Sequence, residues 1–214
     1  MPTVKKRKYD MANRARQAAE TRRRIVDAAA RLFLRQGYAA TSMNAIAVGA
    51  GVAVQTVYAS MSTKRDILEA VIQSSVRGHD DEVPVTAASG WREMEADADP
   101  CHKLAKFARI HREICEREAE LFAVLETAAA VDPEVAPLLR DKERFRYEDQ
   151  ARVARSLRRQ RGLRPGLSTR KAGDIIWALA SERIYLTLVH ERGWSPEHYE
   201  TWLADQLAAA LLPR

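Results

Sequence analysis

Residues 41–64, TSMNAIAVGAGVAVQTVYASMSTK, have the pattern of two short helices separated by a glycine. If the first begins near Met43, Ala47 falls where two crossing helices accept no side chain larger than a methyl group. Gly51 falls where the chain must turn sharply with a positive φ angle. Val57 follows six residues later as a β-branched residue that fills the core between the helices. This spacing predicts a helix-turn-helix, with an ordinary αα-hairpin as the alternative.

Charge is distributed unevenly along the chain. Residues 1–78 hold 14 Lys and Arg against 5 Asp and Glu, a net charge of +9, and the remaining residues carry −3 of the total of +6. A cationic first third joined to a mildly acidic remainder is typical of a DNA-contacting domain fused to a domain that does not contact DNA. We therefore expect double-stranded DNA to be a partner of the first third.

Apolar periodicity predicts an all-α fold. Apolar residues recur at three- and four-residue spacing over residues 20–36, Gly37 ends that helix, and no stretch alternates as a strand would. We predict a basic, flexible N-terminal arm over residues 1–19, a three-helix helix-turn-helix domain over residues 20–65 and a larger helical domain over residues 66–214.

The larger domain is predicted to contain several helices after a connector at residues 78–100, which is rich in Gly, Pro and acidic residues. The predicted segments are helical stretches at 104–118 and 119–130, a helix from 132–134 to 162–166, a single helix from Ser168 or Thr169 to Gly193, and a last helix launched by Ser195-Pro196 that ends at Leu212.

The last two predicted helices suggest a homodimer. The penultimate helix is apolar on two faces, and a helix of that kind needs two partners. The last helix carries Ala204 and Ala208 beside its large apolar residues, which suits close helix approach. A two-fold helix bundle between two copies explains both patterns, and a short recognition helix gains affinity from dimerisation. Deep burial within one copy is the alternative.

Composition limits the location and the chemistry. No apolar run approaches the roughly 20 residues that span a bilayer, and no signal-peptide core follows the basic start, so we expect a cytoplasmic protein without membrane contact. Cys101 and Cys115 are expected to be buried, inert thiols. A redox or metal switch, with His111 one helical turn from Cys115, is the alternative. We predict no cofactor and no metal.

Several motifs resemble the N-terminal domain of the tetracycline-repressor (TetR) family of transcriptional regulators. They are RIVDAA at 24–29 with Leu32-Phe33, QGYAATS at 36–42, Ile46-Ala47, AGV at 50–52, TVY at 56–58, and Lys64 with Leu68. The resemblance covers about residues 20–72, and RGWSPE at 192–197 is similar to a C-terminal pattern of bacterial members. It implies a homodimeric helical regulator with an effector pocket and the dimer contacts in the larger domain.

The chain departs from the family pattern around the third helix. Ala53 stands where the family often has serine, which removes a hydroxyl cap worth about 1 kcal/mol. Val54 and Gln55 replace a common lysine and small residue, and Met61 replaces phenylalanine. We expect the fold to tolerate these changes, whereas the operator sequence does not transfer from any relative.

The third helix is predicted to read DNA. Helical spacing places Val54, Val57, Tyr58 and Met61 inward and leaves Gln55, Thr56, Ala59 and Ser60 outward, towards base edges. Glutamine pairs bidentately with adenine, and the methyl groups of threonine and alanine contact the thymine methyl. A merely solvated polar face is the alternative. The predicted surface also includes Asn44 and Val54.

Phosphate contacts are predicted at two places. The resemblance implies that Thr41, Ser42, Tyr58 and Lys64 touch the DNA backbone, which fixes register and not sequence. The run of Lys5, Lys6, Arg7 and Lys8 is expected to enter a minor groove or to add salt-sensitive attraction. A nuclear-import signal is the competing interpretation of that run.

The predicted effector site lies on the helices that, in the family, surround the ligand. Its wall residues are Phe107, Ile114, Phe122, Leu125, Tyr147, Trp177 and Tyr185, and its polar anchors are Glu126, Gln150 and Arg183. Ordinary core packing is the alternative for each residue. The resemblance implies that the partner in this pocket is a small-molecule effector.

Enzymatic motifs are missing from the sequence. It has no His-Glu-x-x-His pair, no Gly-x-Ser-x-Gly elbow and no phosphate-binding glycine loop, so we expect no enzyme. The leading hypothesis is a ligand-responsive repressor that binds a palindromic operator as a homodimer. The alternatives are an effector-independent architectural DNA-binding protein and, remotely, a helical enzyme.

Overall fold

The computed structural model describes residues 4–78 and 84–213, with side chains from residue 13 onward. The chain divides into two compact units, Met1–Ile72 and Gln73–Arg214. Throughout the described ranges the secondary structure is helical and includes no strand, so the predicted all-α fold is confirmed.

The first unit is built from four helices, the last of which continues into the second unit. They are α1 Val4–Ala40, α2 Met43–Ala50, α3 Val54–Ser60 and α4 Lys64–Arg77. Gly37 has a φ of 78° and interrupts the helical geometry of α1 near its end, as predicted for a glycine that ends a helix.

Helix starts in the first unit follow local capping rules. The Ser42 side chain accepts a hydrogen bond from the Ala45 N–H at 3.1 Å, so α2 begins at Met43 as predicted. The α4 start has a reciprocal cap, in which the Asp66 N–H donates to Thr63 Oγ1 and the Thr63 N–H donates to Asp66 Oδ2, both at 3.0 Å.

The core of the first unit is apolar. Ile25 and Phe33 of α1 are fully buried, and so are Ile46 of α2 and Val57 of α3. The periodic apolar stripe of α1 therefore faces α2 and α3, and most of the arginines of the same helix stay exposed.

The second unit consists of longer helices. A 3₁₀ turn at Val85–Ala87 precedes α5 Ser89–Ala96, α6 Pro100–Val131, α7 Ala136–Arg159, α8 Thr169–Leu179, the single-turn helix α9 Glu182–Tyr185, a π-helical segment Leu186–Glu191 and α10 Pro196–Leu211. Helix α6 packs against α5, α7 and α10, and α7 packs against α8. Leu104, Val153, Ile176 and Leu203 lie fully buried in the shared core.

Two predicted helix boundaries are wrong in the second unit. The predicted stretches 104–118 and 119–130 form one continuous helix, α6, because no glycine or proline interrupts it. The helix expected to start at 132–134 starts at Ala136. The Asp132 side chain accepts a hydrogen bond from the Glu134 N–H at 2.9 Å and forms a turn before that start.

The predicted single helix from residue 168 to Gly193 is also wrong. Helix α8 ends at Leu179, Ala180 has φ −87° and ψ 73°, and Ser181 caps α9 by accepting from the Arg183 N–H. The carbonyl oxygen of Ala180 accepts hydrogen bonds from Arg146 Nη1 at 2.8 Å and Gln150 Nε2 at 2.9 Å. Side chains of α7 therefore replace the backbone hydrogen bonds that the break removes.

Other expectations concern termini, cysteines and membranes. Helix α1 begins at Val4, while the flexibility of the predicted arm and the boundary at residues 65 and 66 stay predictions. Cys101 is exposed, so its predicted burial is wrong, whereas Cys115 is buried as expected. Among the described helices, no single one is long and apolar enough to cross a membrane.

Candidate functional site: a nucleic-acid interface and a polar cavity

The turn between α2 and α3 has helix-turn-helix geometry. Gly51 adopts the left-handed conformation with φ 64° and ψ 43°, and its N–H donates to the carbonyl of Val48 at 3.1 Å. The axes of α2 and α3 differ by 102°, within the range of a helix-turn-helix. Ala47, with 3% of its surface exposed, is buried as its predicted position requires.

Arg24 stabilises this turn, a role that the sequence analysis missed. Its Nη2 donates to the carbonyl of Ala50 and, at 3.0 Å, to that of Gly51. These carbonyls end α2, where a cationic donor interacts favourably with the helix dipole. A Cβ atom on Gly51 would lie only 2.8 Å from Arg24 Nη2. In the sequence, the only indication of this role is that Arg24 lies outside the apolar stripe of α1.

Helix α3 is held by its inner face. Val57 is fully buried, Met61 is 4% exposed and Val54 is half-buried, as predicted for that face. Ala53 provides no side-chain cap, which agrees with the departure noted from its sequence. The attachment of this helix to the unit therefore depends on apolar packing.

The outer face of α3 presents small and polar side chains. Gln55, Thr56 and Ala59 are exposed and Ser60 is half-buried, so all four side chains reach the surface, as predicted. Tyr58 is 52% exposed, and its predicted inward placement is wrong because Val57 and Met61, four residues apart, already fill the inner face. Asn44 of α2 is exposed as well.

The residues expected at phosphate differ in accessibility. Thr41 is 1% exposed, and its hydroxyl donates to the Gly37 carbonyl at 2.8 Å, so this side chain stabilises the end of α1. Ser42 is exposed. Lys64 Nζ donates to the Tyr38 carbonyl at 2.9 Å and lies 4.2 Å from the centre of the Tyr38 ring. The side chains of Lys5, Lys6, Arg7 and Lys8 lie outside the described residues.

The second unit contains a cavity of about 120 Å³. Helices α4 to α7 and α9 contribute to its wall, together with Val85 from the 3₁₀ turn. The lining residues are Val76, Val85, Trp91, Phe107, Ile110, His111, Ile114, Glu118, Lys142, Phe145, Arg146, Asp149, Gln150 and Glu182. The wall thus combines aliphatic and aromatic side chains with several ionisable groups.

Three of the ten predicted effector residues line this cavity, namely Phe107, Ile114 and Gln150. The other seven lie elsewhere in the second unit. Phe122 and Leu125 are core residues, Trp177 stacks under Arg146, Tyr147 donates to Asp174, Tyr185 packs edge-on against Tyr199, and Arg183 pairs with Glu126.

The ionisable residues of the cavity form a buried network that the sequence analysis did not identify. Lys142 Nζ lies 2.8 Å from Glu118 Oε1 and 3.2 Å from Glu182 Oε1. Arg146 Nη2 lies 2.7 Å from Glu143 Oε2, and its Nε lies 3.5 Å from Glu182 Oε2. The sequence contains one indication of this network, because Glu182 falls at a position that helical spacing assigns to an otherwise apolar stripe.

Burial and neighbouring charges shift the pKa values in this network. Burial raises the pKa of Glu118, Lys142 lowers it and the Glu182 charge raises it, with a net value of about 8. Burial would also raise the pKa of Glu182, but Lys142 and Arg146 together lower it to about 2. Glu118 therefore holds a proton at neutral pH, and Glu182 is ionised.

His111 is neutral beside this network because burial lowers its pKa to about 4. Its Nε2 lies 3.4 Å from Cys115 Sγ, and burial raises the pKa of that thiol. No group of three His, Cys, Asp or Glu side chains in the described part of the chain is arranged to hold a metal ion.

Residues 25–71 match the family model described as "Bacterial regulatory proteins, tetR family". No curated protein matches this sequence significantly. The fold is similar to that of a transcriptional regulator from Saccharomonospora viridis in complex with choline, with a TM-score of 0.65 and 22% identity over 92% of this chain and 100% of the other.

Two further solved structures share this fold. A TetR-family regulator from Mesorhizobium loti MAFF303099 is similar with a TM-score of 0.70 and 22% identity, covering 90% of this chain and 95% of the other. The regulator FadR from Bacillus subtilis in complex with stearoyl-CoA has a TM-score of 0.68 and 18% identity, covering 86% and 96% of the two chains.

Proposed function

Because this chain belongs to the tetR family of bacterial regulatory proteins, as its residues 25–71 show, we propose that it is a ligand-responsive repressor that binds a palindromic operator as a homodimer. It is a DNA-binding transcriptional regulator. The observation that carries the proposal is the helix-turn-helix of α2 and α3, in which a glycine-centred turn presents the polar outer face of α3.

The DNA contacts divide into reading and positioning. Gln55, Thr56 and Ala59 are exposed on α3 and have the side-chain chemistry that distinguishes adenine and thymine in the major groove. Ser42 and Tyr58 are exposed beside them and suit phosphate contacts. Lys64 is bound to backbone carbonyls at the end of α1, so its proposed contribution to DNA binding includes orienting that end.

Dimerisation is proposed through α8 and α10. The buried side of α10 is occupied by Tyr199, Leu203, Leu207 and Leu211 within the second unit. Trp202, Ala204 and Ala208 remain half-buried, as do Ile175 and Leu179 of α8. These partly exposed apolar residues provide the second face that a two-fold helix bundle requires.

The proposed effector site is the cavity of the second unit. Choline in the Saccharomonospora viridis regulator and stearoyl-CoA in the Bacillus subtilis regulator differ greatly in size. A cavity of about 120 Å³ suits a ligand nearer to choline in size, since a cavity of roughly 150 Å³ holds a benzene molecule. To relieve DNA binding tenfold, the ligand must favour the DNA-incompetent dimer by about 1.4 kcal/mol.

Regulation and location complete the proposal. The chain acts in the bacterial cytoplasm, where its DNA partner lies, and it has no catalytic role. An effector-independent architectural protein is the second candidate, because the positive charge of the first third would bind DNA without any ligand.

The test combines affinity and assembly. A duplex enriched from random DNA is titrated at several salt concentrations by fluorescence anisotropy, and the protein alone is sedimented at micromolar concentration. We expect a dimer and a steep fall of affinity with salt. A flat salt dependence or a purely monomeric protein would refute the proposal, and DNA binding that no screened ligand changes would favour the architectural candidate.

A further inference from the structure

We propose that the cavity of the second unit takes a small protonated primary amine with an apolar tail, whose ammonium group donates hydrogen bonds to Glu118, Gln150 and Glu182. The inference rests on the proposed function only in taking this cavity as the effector site.

The cationic groups of the cavity already have partners. Lys142 Nζ donates to Glu118 and Glu182. Arg146 donates from Nε and Nη2 to Glu143, and from Nη1 to the carbonyls of Trp177 and Ala180. An anionic ligand would have to displace these acceptors and add a further negative charge to a site that already buries two carboxyl groups, which is costly.

Some hydrogen-bond acceptors of the cavity-lining residues, in contrast, have no donor. Among the cavity-lining residues with described side chains, Glu118 Oε2, Gln150 Oε1 and Glu182 Oε2 are buried acceptors without a hydrogen-bond donor, and Trp91 Nε1 is a buried donor without an acceptor. Arg146 Nε lies 3.5 Å from Glu182 Oε2 in an ion pair but makes no hydrogen bond to it. A primary ammonium group carries three N–H donors and no acceptor, and therefore complements three acceptors that burial has desolvated.

The charge balance also favours a cation. Around the cavity, Glu118, Glu126, Glu143 and Glu182 carry four potential negative charges against the three cations Lys142, Arg146 and Arg183. His111 is neutral, and Asp149 of the wall pairs with Arg152. Without a ligand, the excess is offset by the proton that Glu118 holds at neutral pH. An ammonium group would replace that proton, so its binding releases one proton at neutral pH.

The apolar part of the cavity wall determines the size and chemistry of the ligand's tail. Trp91, Phe107, Ile110, Ile114 and Phe145 supply aromatic and aliphatic surface. The volume of about 120 Å³ leaves room for a tail of about four carbons beside the ammonium group, by comparison with a cavity of roughly 150 Å³ that holds benzene. Aromatic faces near a cation add to the preference for positive charge.

The test is calorimetric titration of the full-length protein with n-butylamine and its matched analogues, in the absence of DNA. Butanoate has the opposite charge, 1-butanol has none, and n-butyltrimethylammonium has the same charge without N–H donors. We expect n-butylamine to bind at least about tenfold more tightly than each analogue, since a hydrogen bond to a charged group contributes that much or more. In buffers of different ionisation enthalpy, about one proton is released per amine bound near pH 7.

A matched pair of variants separates the cavity from general charge effects. Glu118→Gln removes the carboxyl group that holds the proton and leaves Glu182 and Asp149 in the wall. Glu120→Gln makes the same change two residues away at an exposed position of α6. Glu118→Gln should weaken n-butylamine at least tenfold and abolish proton release, while Glu120→Gln should leave both unchanged. If Glu118→Gln does not fold, the comparison of the four ligands on the natural protein still tests the amine site.

Failure of the amine site and failure of the proposed function give different results. Equal or tighter binding of butanoate or 1-butanol, binding of the trimethylated amine as tight as that of n-butylamine, or an unchanged amine affinity in folded Glu118→Gln would overturn the amine site. Failure to bind any enriched DNA would instead overturn the proposed function, whatever the amine does. Relief of DNA binding by a ligand that is not an amine, with no amine bound, would overturn this inference and leave the regulator intact.

Discussion

The two units of the chain place their polar groups in opposite ways. In the first unit, Thr41 is the sole buried polar side chain among the residues with described side chains, and the groups proposed to bind DNA are on the surface. In the second unit, Lys103, His111, Glu118, Gln150 and Glu182 are buried. Recognition is therefore separable from folding in the first unit, whereas the cavity of the second unit is built from its own core.

This difference predicts two kinds of variant. A change on the outer face of α3 removes a contact with DNA and leaves the apolar core intact. A change at the cavity removes a partner from a buried charge and destabilises the unit together with any ligand site. The following variants test whether the two classes separate in this way.

The largest expected effect is at the buried lysine. Lys142→Met removes the cation that both Glu118 and Glu182 contact and leaves Glu182 with Arg146 alone, so it should lower the free energy of unfolding of the second unit by about 3–5 kcal/mol. Lys106→Met is the matched control, because Lys106 pairs with Asp97 at the surface and such pairs contribute less than about 1 kcal/mol. Urea denaturation followed by circular dichroism measures both, and equal losses would contradict the buried network.

Acid should destabilise the second unit through His111. The native pKa of about 4 lies below the usual 6.5, so the unfolded chain binds a proton that the native protein does not between these values. Stability from this group is present above pH 6.5 and is lost as the pH falls towards 4, by on the order of 3 kcal/mol. The raised pKa of Glu118 acts in the opposite direction over part of this range.

The contribution of His111 is therefore measured as a difference in the free energy of unfolding between two proteins. The free energy of unfolding is compared between the natural protein and His111→Gln across pH 4 to 7, with exposed His102→Gln as the control. The loss at low pH should become smaller in His111→Gln alone. A pH dependence unchanged by His111→Gln would show that this histidine does not titrate as proposed.

How far the fold followed from the sequence also differs between the units. Gly51, Ala47 and Ser42 act through local geometry, and a glycine or a cap is visible in the sequence itself. The break after α8 has no such signal, since no glycine or proline lies near Ala180. It depends on hydrogen bonds from Arg146 and Gln150, which are about 30 residues away in the chain.

The sites show the same contrast. The outer residues Gln55, Thr56 and Ala59 were identified by helical spacing because only one side of α3 can be buried. The cavity predictions relied on aromatic residues, and only Phe107, Ile114 and Gln150 line it. Its ionic groups come from three separate helices, and sequence spacing does not show which of them meet.

In the first unit, the turn should be more sensitive than the helix beside it. Gly51→Val places a β-branched residue at φ 64° against Arg24, at a cost of about 1–3 kcal/mol. Gly49→Ala is the control, because its Cβ would make only close contact, 3.4 Å from Ala28 Cβ, and alanine favours a helix. Thermal melting should show a lower midpoint for Gly51→Val, and a normal melting curve would disprove the turn assignment.

The smallest effect on folding is expected at Gln55. Gln55→Ala should leave the melting curve unchanged, since the side chain is exposed. It should reduce discrimination by about 1–3 kcal/mol at one base pair of each half-site. Anisotropy titrations of singly substituted duplexes measure this change, and uniform weakening on every sequence would assign Gln55 to phosphate instead.

The most direct test of DNA reading by α3 is enrichment of duplexes from a random DNA pool by the full-length protein, followed by sequencing. We expect a palindrome whose half-sites are one helical turn, about 10 base pairs, or a multiple of it apart. We expect the same selection with Gln55→Ala to return that palindrome with one relaxed position in each half. No enriched sequence, or an identical motif from both proteins, would contradict recognition by the outer face of α3.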